Sequence, residues 1–495
     1  TYYIDSDRGS DSNDGHSPDR AWRTLNKVNS FTFKTGDSIL FRSGTVLKGG
    51  LVPKGSGEKG KPIIISNYGK GEKPKIEGNG IFPATVYLYN VEYWKVQNLD
   101  ISNKGAVRIA GLCGLKIHAR NYGTVHSLVL KNLIVHDVYG SLVKKEGGGA
   151  GISVQNQGNR IITTFDSLLI EDCKISRCER NGITFDGYWQ RSEWHPNLNV
   201  VIRNNEIDEV PGDGIVPIGC DGALIEYNLM HHSSRLLPDG EAAAGIWPWS
   251  CDNTIVQYNE VSGHKAPWDG QGFDSDWNCR NTIIQYNYSH DNEGGFLLVC
   301  NDGSVKEPYS VGNAGTIVRY NVSINDGIRN HKTRSGIFSP VIHFAGPVKN
   351  TLIYNNVIFV PEKQNDSIDH TLINSSNWNG FADSSYFLNN IFYTRGPLAF
   401  QLGESTSNHF DSNLYFGKFT NLPHDGHAVF SDPAFVSLPD KKLIGFEGLK
   451  CFMLQPGSPC INKGGKVIPA ALKDFFGNVV EVGQNPCIGI HQLEP

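Results

Sequence analysis

Short apolar strands closed by asparagine recur through the middle of this chain. Val201-Ile-Arg-Asn-Asn205, Leu224-Ile-Glu-Tyr-Asn228, Ile255-Val-Gln-Tyr-Asn259, Ile283-Ile-Gln-Tyr-Asn287, Ile317-Val-Arg-Tyr-Asn321 and Leu352-Ile-Tyr-Asn-Asn356 are versions of one unit, and Phe387-Leu-Asn-Asn390 extends the series. Their terminal Asn residues are separated by 23, 31, 28, 34 and 35 positions. A period in this range is the signature of a solenoid, in which each repeat buries its apolar face only against its neighbours. Asn tolerates the left-handed conformation and can hydrogen-bond to its copy in the next coil, so the Asn column reads as structural rather than ligand-binding.

A second set of strands begins with glycine: Gly151-Ile-Ser-Val-Gln155, Gly182-Ile-Thr-Phe-Asp186, Gly214-Ile-Val-Pro-Ile218, Gly245-Ile-Trp-Pro-Trp249, Gly272-Phe-Asp-Ser-Asp276 and Gly295-Phe-Leu-Leu-Val299. Aligned on their Gly, they stack with the following Ile or Phe inward, and the two-residue side-chain period sends the third and fifth residues outward together. One outward column then reads Ser153, Thr184, Val216, Trp247, Asp274, Leu297, and its neighbour Gln155, Asp186, Ile218, Trp249, Asp276, Val299. Cys220, Cys251, Cys279 and Cys300 recur just after these strands and are expected to form an inward column of small apolar thiols. The pattern predicts an all-β chain, a single-stranded right-handed parallel β-helix. A cap and opening coils fill residues 1–85, a core with decorated loops 86–400 and closing coils 401–495, in one continuous domain.

Composition supports this and narrows the partners. Gly 55 and Met 2 argue against a helical protein, and 39% hydrophobic residues over 495 supply a core without disulfides or metal. Lys+Arg 45 against Asp+Glu 50 leaves no basic footprint for nucleic acid or an acidic membrane. No apolar run approaches the length of a membrane span. The chain begins at Thr1 without Met, and the expectation is an exported, monomeric protein whose signal peptide has been removed. The ten cysteines show neither Cys-x-x-Cys pairs nor a dense disulfide pattern, so they do not settle the compartment.

Insertions into a solenoid collect beside one strand face and mark its site. Residues 187–196 carry Tyr188, Trp189 and Trp194; residues 230–241 carry His231, His232, Arg235 and Asp239; residues 263–271 carry His264, Lys265, Trp268 and Asp269. With Trp247 and Trp249, these give an aromatic and polar platform suited to a neutral sugar, whose apolar faces stack while its hydroxyls hydrogen-bond. The expected substrate-binding set is Trp247, Trp249, Trp268, Trp189, His264, Lys265, His232 and Arg235. His231 and His232 are adjacent, which on a strand would point them to opposite faces, so a loop role is expected for the pair. The densest acidic stretch is Trp268-Asp-Gly-Gln-Gly-Phe-Asp-Ser-Asp276. Asp274 and Asp276 should project from one face about 7 Å apart, with Glu293 about 5 Å away in the next coil. Such carboxylates can divide labour between acid and base, or hold a cation. Asp213 sits in a common Asp-Gly turn and is a weaker candidate.

The opening segments Tyr2-Tyr-Ile-Asp-Ser6, Ala21-Trp-Arg-Thr-Leu25 and Gly36-Asp-Ser-Ile-Leu-Phe41, and the closing Asp432-Pro-Ala-Phe435, Gly457-Ser-Pro-Cys-Ile-Asn462 and Asp474-Phe-Phe-Gly477, resemble those of the pectate-lyase-like superfamily of secreted β-helix enzymes. Residues 268–276 resemble the active-site stretch of β-helical retaining glycoside hydrolases such as the family 136 lacto-N-biosidases, in which two aspartates seven positions apart act together. That resemblance implies Asp269 as acid/base and Asp276 as nucleophile. Another β-helical family, of β-xylosidases, pairs an Asp with a later Glu, which Asp274 or Asp276 with Glu293 would satisfy. The leading expectation is therefore an exo-acting, retaining glycoside hydrolase of poly- or oligosaccharides that needs no cofactor. The first alternative is a lyase with calcium on Asp274, Asp276 and Glu293, and Lys265 or Arg334 as base ahead of His264 and His331. The second is a non-catalytic glycan-binding β-helix.

Overall fold

Buried central positions in three-residue strands set the architecture. In Ile255–Gln257, Ile283–Gln285 and Ile317–Arg319 the central Val256, Ile284 and Val318 are fully buried. The computed structural model describes residues 1–334, 336–363, 367–439, 441–481 and 483–493. Packing divides the chain into two units, Thr1–Glu241 and Ala242–Pro495.

In the first unit a short capped helix, Leu25–Ser30, precedes coils of three parallel strands each. One sheet joins Thr124–Lys131, Thr164–Glu171, Asn197–Arg203 and Leu224–Glu226; a second joins Ile134–Tyr139, Lys174–Glu179, Glu206–Asp208 and Leu229–His231. The third joins Leu112–Arg120, Gly149–Gln157, Asn181–Asp186 and Ile215–Val216. The second unit repeats the plan. Ile255 pairs with Ile283, Ile283 with Ile317, Ile317 with Leu352 and Leu352 with Tyr386, so the apolar columns read from the sequence are the observed register. Its third sheet carries Gln271–Ser275, Gly295–Cys300, Ile342–Ala345 and Thr371–Ser376. The closing segment packs Phe435, Leu449, Phe452, Ile488 and Ile490 into a core with Tyr288, Val322, Val357 and Ile391 of this unit. Among the described residues, no helix is long and apolar enough to cross a membrane.

The Asn column is a hydrogen-bonded ladder. Asn259, Asn287, Asn321, Asn356 and Asn390 each donate both their backbone N–H and their side-chain Nδ2 to Oδ1 of the next Asn, at 2.9–3.1 Å. Asn413 continues the ladder, and Asp425 accepts its end. In the first unit Asn205 donates to Asn228 in the same way. The left-handed residue is not the ladder Asn but the one before it: Tyr258, Tyr286, Tyr320, Asn355 and Asn389 have φ between 51° and 57°. This kink turns the chain so that the following amide lies in the stack. Stacking of Tyr258 on Tyr286, with ring centroids 5.0 Å apart, packs the bulky residues held there.

Two features of the expected columns are corrected by the register. Gly295 pairs with Gln271, not Gly272, so Leu298 rather than Leu297 lies beside Asp274, and Cys300 rather than Val299 occupies the position next to Asp276. Gly294 and Gly295 are adjacent, and the second, at φ 130°, aligns one residue earlier than the glycine motif implies. Cys300 therefore leaves the thiol column: Cys251 is followed by Cys279, and the carbonyl of Cys279 accepts from Ala314 N, next to Asn313. All ten cysteines are free thiols.

Replacing Asn321 with alanine strips Oδ1 from two buried donors of Asn287. Urea unfolding should report a loss of about 2–4 kcal/mol, because each orphaned donor costs roughly 1–3 kcal/mol.

Candidate active site

The strand Gln271–Ser275 positions the acids of the second unit. Its neighbours are the 245–249 segment, through Ile246 opposite Phe273, and the strand Gly295–Cys300. Asp274 N donates to Ile246 O and Asp276 N to Pro248 O, both at 3.3 Å, so Trp247 and Trp249 lie one coil before the two acids. Asp274 is 3% exposed and Asp276 is half-buried. Oxygens of these two carboxylates and the Cys300 sulfur lie within 4.8 Å of one another. Asp276 Oδ1 accepts from the Trp277 backbone N–H at 2.6 Å and from Cys300 Sγ at 2.9 Å, which fixes the plane of its carboxylate. Asn313 Nδ2 donates to the carbonyls of Ser275, Asp276 and Cys300 at 2.6, 3.1 and 3.2 Å, tying the ends of the two strands together.

Asp269, which the sequence leaves on a loop, lies on the short strand Trp268–Asp269, just before the strand Gln271–Ser275 that carries Asp274. Burial, then the charges of Asp276, Asp274 and Asp269, hold the Cys300 thiol well above the ordinary thiol range. The main chain at Asp269 is left-handed, with φ 58°, followed by Gly270 at 83°. Such a conformation persists when its surroundings enforce it. The buried guanidinium of Arg329 donates through Nη2 to Asp269 O at 2.7 Å and Ala266 O at 3.0 Å, and through Nη1 to Phe338 O at 2.6 Å. Gly294 passes beneath: a Cβ there would lie 1.7 Å from Asp269 O. The short strand Trp268–Asp269 also pairs with Ala242–Ala243.

The remaining candidates divide. Trp249 and Trp277 are ring neighbours, 5.4 Å between centroids at 58°, and Arg334 lies over the Trp268 ring at 4.5 Å. Glu293 is buried, with His331 Nδ1 3.7 Å from its Oε2. His264 is fully buried, its backbone N–H held by Asn292 Oδ1 and its carbonyl by Glu293 N, so it holds the loop rather than offering a surface. Lys265 is half-buried beside it. Trp189, His232 and Arg235 belong to the first unit: Trp189 is half-buried, Arg235 is exposed, and His232 Nδ1 lies 3.1 Å from Asp208 Oδ1. Asp213, also in that unit, is a buried partner of Arg180 at 2.7 Å.

Several residues near the acids escaped the sequence reading. Arg329, Asn313 and Trp277 carry no motif, and Cys300, expected in the inward thiol column, is brought beside Asp276 by the one-residue slip in register. The column through Leu298 continues to His343, Asn374 and Gln401. Burial lowers His343 to about 4, so its ring is neutral near pH 7; Nε2 lies 2.8 Å from Ser376 Oγ, and Asn374 Nδ2 donates to Gln401 Oε1. As a cation site, the Asp274, Asp276 and Cys300 group matches calcium poorly. Calcium takes six to eight oxygens, and here one of three donors is a thiol held protonated.

Stacked coils of three parallel strands, an internal Asn ladder and acids on one sheet define the class: the chain belongs to the right-handed β-helix family, whose β-helix region it matches over residues 34–339. It is 26% identical to a lacto-N-biosidase of Bifidobacterium longum subsp. longum, over 97% of this chain and 36% of that protein. It superposes on the crystal structure of a GH136 lacto-N-biosidase from Eubacterium ramulus with a TM-score of 0.60 and 28% identity, covering 73% of this chain and 64% of that one. The chain thus spans about a third of the curated relative and just under two thirds of the crystallised one. The structure of XylC in complex with xylose shares the fold, with a TM-score of 0.55 at 12% identity over 100% of this chain and 98% of that one.

Gly294→Ala should drive Asp269 off its support. The clash is with backbone, and the expected loss is about 1–3 kcal/mol in chemical denaturation. A variant as stable as the parent would show that the Asp269 loop is loose.

Proposed function

We propose that this chain is a retaining glycoside hydrolase in which Asp269 is the acid/base and Asp276 the nucleophile. The observation that carries the reading is the meeting of Asp274 and Asp276 at the Cys300 sulfur, with Asp269 on the short strand just before theirs, in a chain similar along 97% of its length to a lacto-N-biosidase. Asp276 attacks the anomeric carbon while Asp269 protonates the departing glycosidic oxygen; Asp269 then takes a proton from water that releases the sugar from Asp276. The two donors on Asp276 Oδ1 hold the nucleophile in one orientation, so little reorganisation accompanies attack.

Trp249, Trp277 and Trp268 supply flat faces for a sugar ring, and the His343, Asn374 and Gln401 column offers polar partners for hydroxyls in successive coils. The name carried by the relatives makes lacto-N-biose-bearing glycans the first substrates to try.

The test is turnover of an aryl lacto-N-bioside and a glycan panel by the parent, Asp269→Asn and Asp276→Asn. Each substitution should lower kcat by about 10³-fold or more. Azide should restore turnover of the activated substrate in Asp269→Asn by replacing the water that needs a base. Asn also accepts the left-handed backbone at 269, so this variant removes charge without strain. Undiminished cleavage by both variants overturns the assignment. An unsaturated uronate product abolished by a chelator points to elimination, and glycan binding without cleavage by the parent points to a binding module.

Asn374→Ala lies outside the acid cluster and should raise KM several-fold with kcat within about twofold, the signature of lost uniform binding. Steady-state kinetics on a substrate longer than a disaccharide checks this.

A further inference from the structure

We propose that Asp208, His231 and His232, with Glu206, form a binding site for one divalent transition-metal ion of zinc type on the first unit. The inference does not rest on the glycosidase reading. Strands Glu206–Asp208 and Leu229–His231 are parallel neighbours with Asp208 opposite His231, so these two side chains share a face by register alone. Strand alternation would send His232 to the other side. Instead His232 adopts a left-handed conformation, φ 51°, which folds its ring back against His231 with the centroids 4.2 Å apart.

Of the pair expected on a loop, His231 ends the strand Leu229–His231 and only His232 lies beyond it. Two imidazoles and a carboxylate now converge. His232 Nδ1 lies 3.1 Å and His231 Nε2 3.8 Å from Asp208 Oδ1, and one ligand atom from each residue fits within 4.8 Å of the others. Glu206 Oε1 is 3.2 Å from His231 Nε2. Ligands about 2.0–2.1 Å from a tetrahedral zinc ion are about 3.3 Å from each other, so this set needs only small adjustments to enclose one.

The donor chemistry selects the ion. Imidazole nitrogen with one or two carboxylate oxygens suits zinc, nickel or copper and not calcium or magnesium, which take oxygen donors. Glu206 Oε1 also receives the Lys174 ammonium at 2.9 Å, so it enters as fourth ligand by sharing or releasing that partner, and water fills the position otherwise. His232 is 70% exposed in its side chain, which gives the ion a path from solvent. A metal here clips two successive coils together just where the paired strands end. It binds the folded chain and not the unfolded one, and so raises the melting temperature.

The experiment uses the whole chain, stripped with a chelator and dialysed, titrated with zinc and separately with calcium by calorimetry and thermal unfolding. One equivalent of zinc should bind with Kd on the order of a micromolar and raise Tm, while calcium leaves this site empty. His232→Gln, at an exposed position, should fold like the parent and weaken that binding at least tenfold. Cobalt(II) should give the visible absorption of a tetrahedral nitrogen–oxygen site in the parent and lose it in His232→Gln. The Asp274, Asp276 and Cys300 group is unchanged in that variant, so zinc held there persists and is subtracted. Equal zinc affinity in parent and variant, or no zinc bound by the parent, overturns the proposal.

Discussion

Register is the constraint from which the rest of this structure follows, and the buried Asn ladder enforces it. Each ladder amide must find two donors from the preceding coil and one acceptor in the next, and a slip of one residue would bury those groups unpaired. Insertions of any length can leave a coil provided the chain returns to its Asn. This is why the spacing between ladder residues varies from 23 to 35 while the strands stay in step. The tyrosines forced into the left-handed conformation just before the ladder show how strongly the turn is specified, since bulky side chains disfavour that region.

The acid cluster is a product of that register. Asp274 and Asp276 share a face because they are two apart on a strand, they lie beside Trp247 and Trp249 because the preceding coil is in step, and Asp276 meets Cys300 because the following coil begins one residue early. Asp269 is different. Its backbone is irregular, held by three carbonyl contacts of Arg329 and by the absence of a side chain at Gly294. The site thus combines two acids fixed by regular stacking with one fixed by a buried cation.

These two modes of support decide what could be read from the sequence. The fold was legible because solenoid periodicity is local: the Asn pentads and the alternation within them carry the coils, and Val256, Ile284 and Val318 are inward as their spacing requires. Asp274 and Asp276 were legible for the same reason. Cys300 was misplaced because alignment on glycine assumes that glycine always marks the same position, whereas Gly295 serves a different backbone need from Gly272. Arg329 was invisible because its contacts are carbonyls far away in sequence, which no side-chain pattern announces. The closeness of His231 and His232 was not legible, because it depends on the left-handed turn at His232 just past the end of its strand.

The most direct test of the central claim is intact-protein and peptide mass spectrometry of the Asp269→Asn variant mixed with a fast-leaving aryl glycoside, where loss of the base slows release of the sugar. The account predicts accumulation of one covalently bound glycosyl group, mapped to Asp276 and absent when Asp276 is also replaced. No adduct under turnover conditions, or an adduct on another residue, would contradict it.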